Sequence, residues 1–137
     1  MALASSVLGA CSSSMPPASE MTEMHFAATT TLPANRPPDV SLLVGQTPAQ
    51  TIYSMTLALP DQPPGIYACG VDFGIVYNLT FFDGGATAAS ATLEPGGCQE
   101  VRFSGSDEIR RVIDESYWAT LAQQLGIAES TIYPYAP

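Results

Sequence analysis

Apolar and polar positions along the chain alternate with two periods, cut into segments by proline and glycine. Residues 40–44 (VSLLV) form a β-prone run ended by Gly45. Thr47-Pro48-Ala49-Gln50 then carries a helix start, with Thr47 as cap, Pro48 at the first helical position and Gln50 completing a capping box. Ile52, Met55 and Leu59 recur at spacings of three and four, and Pro60 ends the helix. After the rigid loop Pro60-Asp61-Gln62-Pro63-Pro64-Gly65, no proline occurs until Pro95, so this stretch can hold a sheet. Residues 66–71 read as a strand. Residues 75–82 read as another, with Ile75, Tyr77, Leu79 and Phe81 on one face and Asn78 and Thr80 on the other. Asp83-Gly84 suits a tight type I′ hairpin, and the return strand over 86–93, built from Ala, Thr and Ser, packs thinly. Glu94-Pro95-Gly96-Gly97 fits a type II turn, with Gly96 supplying the positive φ. A strand over 98–103 follows, with Val101 and Phe103 opposite Glu100 and Arg102.

The last periodic segment is a helix capped by Asp114, with Tyr117, Trp118, Leu121 and Leu125 as its stripe and Gly126 at its end. Residues 106–113 either extend this helix backwards or form a separate turn carrying Arg110 and Arg111. The tail over 127–137, with Tyr133-Pro134-Tyr135, is a strap or a free end, and its aromatics favour a strap. The fold expected is α+β, a small single domain running strand, helix, antiparallel β meander, helix, with the helices on one sheet face.

Composition divides the chain. Over 137 residues, 46 % hydrophobic and 12 % charged content is enough to bury a core. Residues 12–38 depart from this, with Ser12-Ser13-Ser14, Pro16-Pro17, Thr29-Thr30-Thr31 and Pro37-Pro38, and read as a disordered tether. The sole histidine, His25, falls in it. Residues 2–10 are small and apolar and end in Leu8-Gly9-Ala10-Cys11, which resembles the lipobox of bacterial lipoproteins. Lipid transfer needs a thiol on the first retained residue and small residues before it, and Cys11, Gly9 and Ala10 supply them. No Lys or Arg precedes Arg36, so residues 1–11 are a partial lipoprotein-type signal. The resulting layout is signal over 1–11, tether over 12–38, α+β domain over 39–126 and tail over 127–137. No stretch approaches the ~18 apolar residues of a membrane span, so membrane attachment is expected only through lipid on Cys11. Four basic residues against thirteen acidic ones give a net charge of −9, which disfavours nucleic acid and anionic membrane surfaces as partners.

Leu59-Pro60, Pro63-Pro64-Gly65, Cys69, Asp72, Gly74, Tyr77, Leu79, Phe81, Gly97-Cys98-Gln99-Glu100-Val101, Asp114, Tyr117-Trp118 and Leu121 together resemble uncharacterised secreted proteins and lipoproteins of high-GC Gram-positive and related bacteria. The resemblance covers residues 40–126. Its motifs are turn prolines, a cysteine pair and core aromatics, and it implies no activity.

With Cys11 assigned to lipid, Cys69 and Cys98 remain as a disulfide pair in an extracytoplasmic compartment. No Cys-x-x-Cys motif occurs, and the domain holds no histidine to activate a thiol. Asp61, Asp72 and Asp83 fall in loops, where turn chemistry favours Asp. Arg110 and Arg111 are candidates for gripping a carboxylate or phosphate, although Asp107, Glu108, Asp114 and Glu115 around them favour local ion pairs. Asn78-Leu79-Thr80 matches a glycosylation triplet that is idle in a bacterial protein. Candidate binding residues are therefore Asp61, Asp72, Arg110 and Arg111, with no catalytic set, metal or cofactor. These residues point to a monomeric, non-enzymatic module that binds an extracytoplasmic protein or envelope component. Two alternatives are a secreted enzyme inhibitor using the 60–65 loop and a hydrolase using loop carboxylates.

Overall fold

Residues 23–30 alternate Met24 and Phe26, both fully buried, with Glu23, His25, Ala27 and Thr29, and this period of two makes them a strand. A computed structural model describes residues 15–63, 65 and 67–134 of the chain; the 1–11 segment and Cys11 lie outside the described residues. The strand, β1 (Glu23–Thr30), is interior to an antiparallel sheet. On one side lies β2 (Ser41–Val44), and on the other β3 (Ile75–Asp83), with Phe26 opposite Leu42 and Leu79. The tether expected over 12–38 is corrected accordingly. The Ser, Thr and Pro that suggest a tether flank β1, and its own alternation outweighs them.

The chain continues through α1 (Gln46–Leu57), then β3, β4 (Ala86–Leu93), β5 (Glu100–Phe103), β6 (Ile109–Arg111) and α2 (Ser116–Leu125). The sheet order is β2-β1-β3-β4-β5-β6. The expected α+β class, with both helices on one sheet face, is what the structure has. Tyr53 of α1 packs edge-on against Phe81 and Phe103, at 5.0 and 6.0 Å between ring centroids, and Trp118 of α2 meets Tyr77 at 6.1 Å. These rings belong to the face formed by the inward positions of every long strand.

Several local expectations shift. Residues 67–74 contain no strand, because β1 occupies the edge of β3 that a strand there would need. The segment is held instead by Thr31 N–H to Gly74 O at 2.8 Å, Asn35 Nδ2 to Phe73 O at 2.7 Å and Gly97 N–H to Val71 O at 3.0 Å. The hairpin turn falls at Gly84-Gly85, both at positive φ, one residue later than Asp83-Gly84. The pairing of Asp83 with Ala86 brackets this turn, and a register irregularity follows between Phe82 and Phe81. After β4 the positive φ falls on Gly97 (58°) and Gln99 (55°), so the expected type II turn at Gly96 does not form. Gly96 serves close approach, since a Cβ there would come within 2.9 Å of Val71 O. Residues 106–113 form neither a backward extension of α2 nor only a turn: residues 109–111 are edge strand β6.

Helix α1 begins at Gln46 with Gly45 as its cap, and no side chain caps it. Pro48 is the third helical residue, tolerated because first-turn N–H groups have no intrahelical partner. Gln50 does not complete a capping box; its Nε2 donates to Ser19 O and Met21 O, each at 3.3 Å, and ties the N-terminal segment to α1. The buried face of α1 is Ala49, Ile52, Tyr53 and Thr56, with Met55 and Leu59 only half-buried. The Thr56 hydroxyl donates to Ile52 O at 2.6 Å and so accepts from the Tyr117 phenol at 2.9 Å, joining the two helices. Burial pushes the Tyr117 phenol far above the usual tyrosine range, which keeps this donor protonated. At α2 the cap position is Glu115, while Asp114 Oδ1 accepts from Ser116 N–H at 2.9 Å; that bond holds the Asp114 carboxyl below its ordinary value. Gly126 ends α2 in the left-handed conformation at φ 73°, as expected.

The tail is a strap over its described residues, 127–134. Ile132 is fully buried, its carbonyl accepts from the Tyr77 hydroxyl at 2.6 Å, and the Tyr133 ring stacks on Trp118 at 4.8 Å. Gln99 takes its unusual backbone conformation where it joins three elements. Its Oε1 accepts from Trp118 Nε1 at 2.9 Å, its Nε2 reaches the Tyr133 hydroxyl at 3.4 Å, and its carbonyl accepts from Val112 N–H at 3.0 Å.

Because Phe26 lies fully buried between Leu42 and Leu79, Phe26→Ala is expected to destabilise the fold by about 3–5 kcal/mol. Equilibrium urea unfolding measures it. A change of a few tenths of a kcal/mol would instead mark residues 23–30 as a segment outside the core.

Candidate functional site

The sheet has one face under the helices and one open to solvent. Cross-strand partners share a face, so the register fixes the open one: Ala27 of β1 faces Asn78, Thr92 and Arg102 along one row, and His25, Thr80 and Ser90 share the next. Small hydroxyl side chains on β4 leave a trough of about 380 Å³ there, whose polar lining is Asn78, Thr80, Ser90, Thr92, Arg102 and Ser104. The same thin strand expected to pack poorly is what makes this face concave.

Two of the polar groups in the trough, Asn78 and Arg102, are held in place by neighbours. Asn78 Nδ2 donates to Thr29 Oγ1 at 3.0 Å. Arg102 forms an ion pair with Glu100 at 2.8 Å while 55 % of its side chain stays exposed, so the guanidinium keeps donors facing solvent. Glu100 also accepts from Gln62 Nε2 at 3.3 Å. His25, an expected tether residue, stands on this face with its ring nitrogen 3.0 Å from Ser41 Oγ. Hydroxyls, an amide and one oriented guanidinium offer hydrogen bonds to a polar ligand with some negative charge.

The residues named from the sequence lie elsewhere, and the fold separates them. Cys69 and Cys98 are joined in a disulfide, with Cα atoms 4.9 Å apart and a sequence separation of 29. It anchors the irregular 67–74 segment beside the start of β5, and closing such a loop stabilises the fold by about 3–4 kcal/mol on the chain-entropy model. Arg110 and Arg111 point to opposite sheet faces, as neighbours on a strand must, so they form no joint grip. Arg110 donates to Leu57 O at 3.3 Å, pairs with Glu108 at 3.4 Å and lies over the Phe103 ring. Arg111 donates to Cys98 O at 2.9 Å and lies over Tyr67. The local ion pairing expected around them is present for Arg110 alone. Each guanidinium thus braces the edge of the sheet.

Asp61 bridges Arg110 through the backbone, Asp72 turns its carboxylate onto Gly74 N–H at 2.8 Å, and Asp83 closes β3. All three are exposed and lie apart, Asp61 and Asp72 in separate connections and Asp83 at the end of β3 rather than in a loop, so no two converge in one pocket. Among the described residues no group of three His, Cys, Asp or Glu side chains is placed to hold a metal ion. In the 60–65 loop, Pro60 O accepts from Arg111 N–H at 3.0 Å and Gln62 N–H donates to Ile109 O at 2.8 Å, so this part is pinned to β6. A sequence signal for the trough does exist: Asn78, Thr80 and Arg102 are the outward positions of strands read from their alternation.

No family model, curated protein or solved structure matches the chain.

One acidic group beside the trough is perturbed. Burial pushes the Glu94 carboxyl up, Asp72 and Glu100 add repulsion, and Arg102 partly offsets them. With its folded value above the unfolded one, Glu94 contributes stability below about pH 4.3 that is lost as pH rises through the folded value. Glu94→Gln is therefore expected to raise Tm at neutral pH, with the gain shrinking as the pH falls towards 4. Thermal unfolding across that range checks it; a gain that grows towards acid would contradict the assignment.

Proposed function

We propose that the chain is a non-catalytic, extracytoplasmic binding module, attached to a bacterial membrane by lipid on Cys11, that presents its open sheet face to another component of the envelope. The observation that carries this reading is the trough: the middle of one sheet face is left open, and its Asn78 and Arg102 are oriented by neighbours while Arg102 still faces solvent. The Cys69–Cys98 disulfide agrees with an oxidising compartment. The resemblance of residues 40–126 to secreted proteins and lipoproteins supports the same location. The inhibitor reading finds less support, because an inserting loop offers its backbone groups to a partner and those of Pro60 and Gln62 are already bonded to β6.

The test uses the full chain with Cys11→Ser, so that lipid plays no part, and isolated bacterial envelopes. Saturable binding is expected, weakened about tenfold or more, or 1.4 kcal/mol, by Asn78→Ala with Arg102→Ala. The same pair of substitutions should leave Tm nearly unchanged, since both side chains lie on the solvent face. Binding unaffected by the pair would remove the sheet face from the account, and absence of binding by the parent chain would overturn the function.

A further inference from the structure

The two edges of the sheet differ. At β6 the outer backbone groups are taken: Arg111 N–H donates to Pro60 O at 3.0 Å, Gln62 N–H donates to Ile109 O at 2.8 Å, and Asp61 bridges Arg110. At β2 nothing among the described residues does the same. Ala28 N–H donates to Val40 O at 3.3 Å, and the register pairs Phe26 with Leu42 and Met24 with Val44, so Leu42 and Val44 turn their backbone groups to β1. Ser41 and Leu43 therefore turn theirs outward, where no described group meets them. Sheet edges are usually blocked by charge, proline or a bulge. The four residues of β2 supply none of these; Leu43 is 61 % exposed, and Leu42 and Val44 are only half-buried.

An antiparallel copy of the same strand answers this edge. In a two-fold pairing centred on Leu42, Ser41 of each copy lies opposite Leu43 of the other, and each such pair exchanges both of its N–H···O=C bonds, so every outward group of both strands is satisfied. The two Leu42 side chains meet on the helix side, and the two Leu43 side chains approach diagonally on the open face. The same register matches a charge to its complement. Two residues before the strand, Asp39 of one copy falls opposite Gly45 of the other, the cap position of α1. No side chain caps that helix, its first turn holds no acidic residue, and among the described residues the Gln46 and Thr47 N–H groups have no partner. Asp39 is exposed, and neither ion pair of the described residues includes it. A carboxylate is attracted to the positive end of a helix, and the two-fold symmetry makes the contact twice.

We propose that two copies of the chain join edge to edge through β2, in the antiparallel register centred on Leu42, with Asp39 of each copy at the start of α1 in the other. The inference goes beyond the binding reading and replaces the monomer expected from the sequence. The two-fold axis stands perpendicular to the sheet, so both helix layers fall on one side of the joined sheet and both troughs on the other. Four residues a side bury less than the roughly 1,200 Å² of a stable complex, so the dimer forms reversibly, with a Kd between about 10 µM and 1 mM.

The experiment follows the full chain, with Cys11→Ser to prevent an intermolecular disulfide, by sedimentation velocity from about 10 µM to 1 mM, with amide exchange measured at both ends of that range. A concentration-dependent dimer is expected, in which the Leu43 amide exchanges severalfold more slowly than in the monomer, while that of Leu42, already bonded to β1, changes less. Leu43→Lys should abolish the dimer and leave the Tm of the monomer nearly unchanged. It also lowers the negative charge of each copy, so that loss cannot come from stronger long-range repulsion. Asp39→Asn should weaken the dimer about two- to fivefold. Ile113→Lys, at an exposed apolar site by the opposite edge of the sheet, should leave it intact. A chain still monomeric at the upper concentration, a dimer that survives Leu43→Lys, or one lost with Ile113→Lys would overturn the proposal. So would a Leu43 amide protected equally at every concentration, which would mean that another segment of the same chain fills the edge.

Discussion

The structure depends on the pairing of β1 between β2 and β3. Its hydrogen-bond partners come from both sides, and its inward side chains Met24 and Phe26 complete the apolar face on which both helices sit. Without it β3 would be an edge, β2 would have no neighbour, and the row from Leu42 through Phe26, Leu79 and Ala91 to Phe103 would be broken at its second place. An antiparallel sheet with one covered face needs an unbroken inner surface for its helices, and β1 is the strand that makes the surface continuous. The N-terminal residues before it follow the same logic. Met21 is fully buried, and Tyr53 and Gln50 fasten the preceding turn to α1.

Much of the sheet was legible because its alternation is clean. Ile75, Tyr77, Leu79 and Phe81 point inward as the period of two requires, β4 spans the residues expected of it, and Val101 and Phe103 oppose Glu100 and Arg102. The stripe and glycine stop of α2 were readable for similar reasons. The same alternation exists in β1, but it is set among Thr and Pro runs whose composition points to a tether, and local composition cannot report a partner strand more than 40 residues away. The 67–71 segment failed in the opposite sense. It carries β-prone residues, yet the position beside β3 was already filled, and only the whole topology reveals that. Helix α1 began one residue before its apparent cap because Gly45 and the first turn satisfy the backbone without help from Thr47.

The candidate residues divide along the same line. Asp61, Asp72, Arg110 and Arg111 attract notice as charges; Asp72, Arg110 and Arg111 prove to be engaged with backbone groups or aromatic rings of the loops and edge that frame the sheet, and Asp61 joins that edge through its backbone. The trough is built from residues unremarkable in sequence: Ser90 and Thr92 matter through the space they leave and through their row with Asn78 and Arg102. Fixed loops around an uncovered face suit recognition, since bound groups would meet side chains already oriented. At the far end, the disulfide, Gln99 and the Tyr133–Trp118 stack hold the irregular segment and the tail against the core, so the rigidity of the face is supported from both termini.

Native-state hydrogen exchange of the β1 amides addresses the central strand most directly. Amides of residues 24–28 should exchange only through global unfolding, with the same free energy as those of Tyr77 and Leu79 in β3. Exchange of residues 24–28 at rates near those of an unstructured chain, while β3 remains protected, would show that the sheet closes without β1 and would contradict the account.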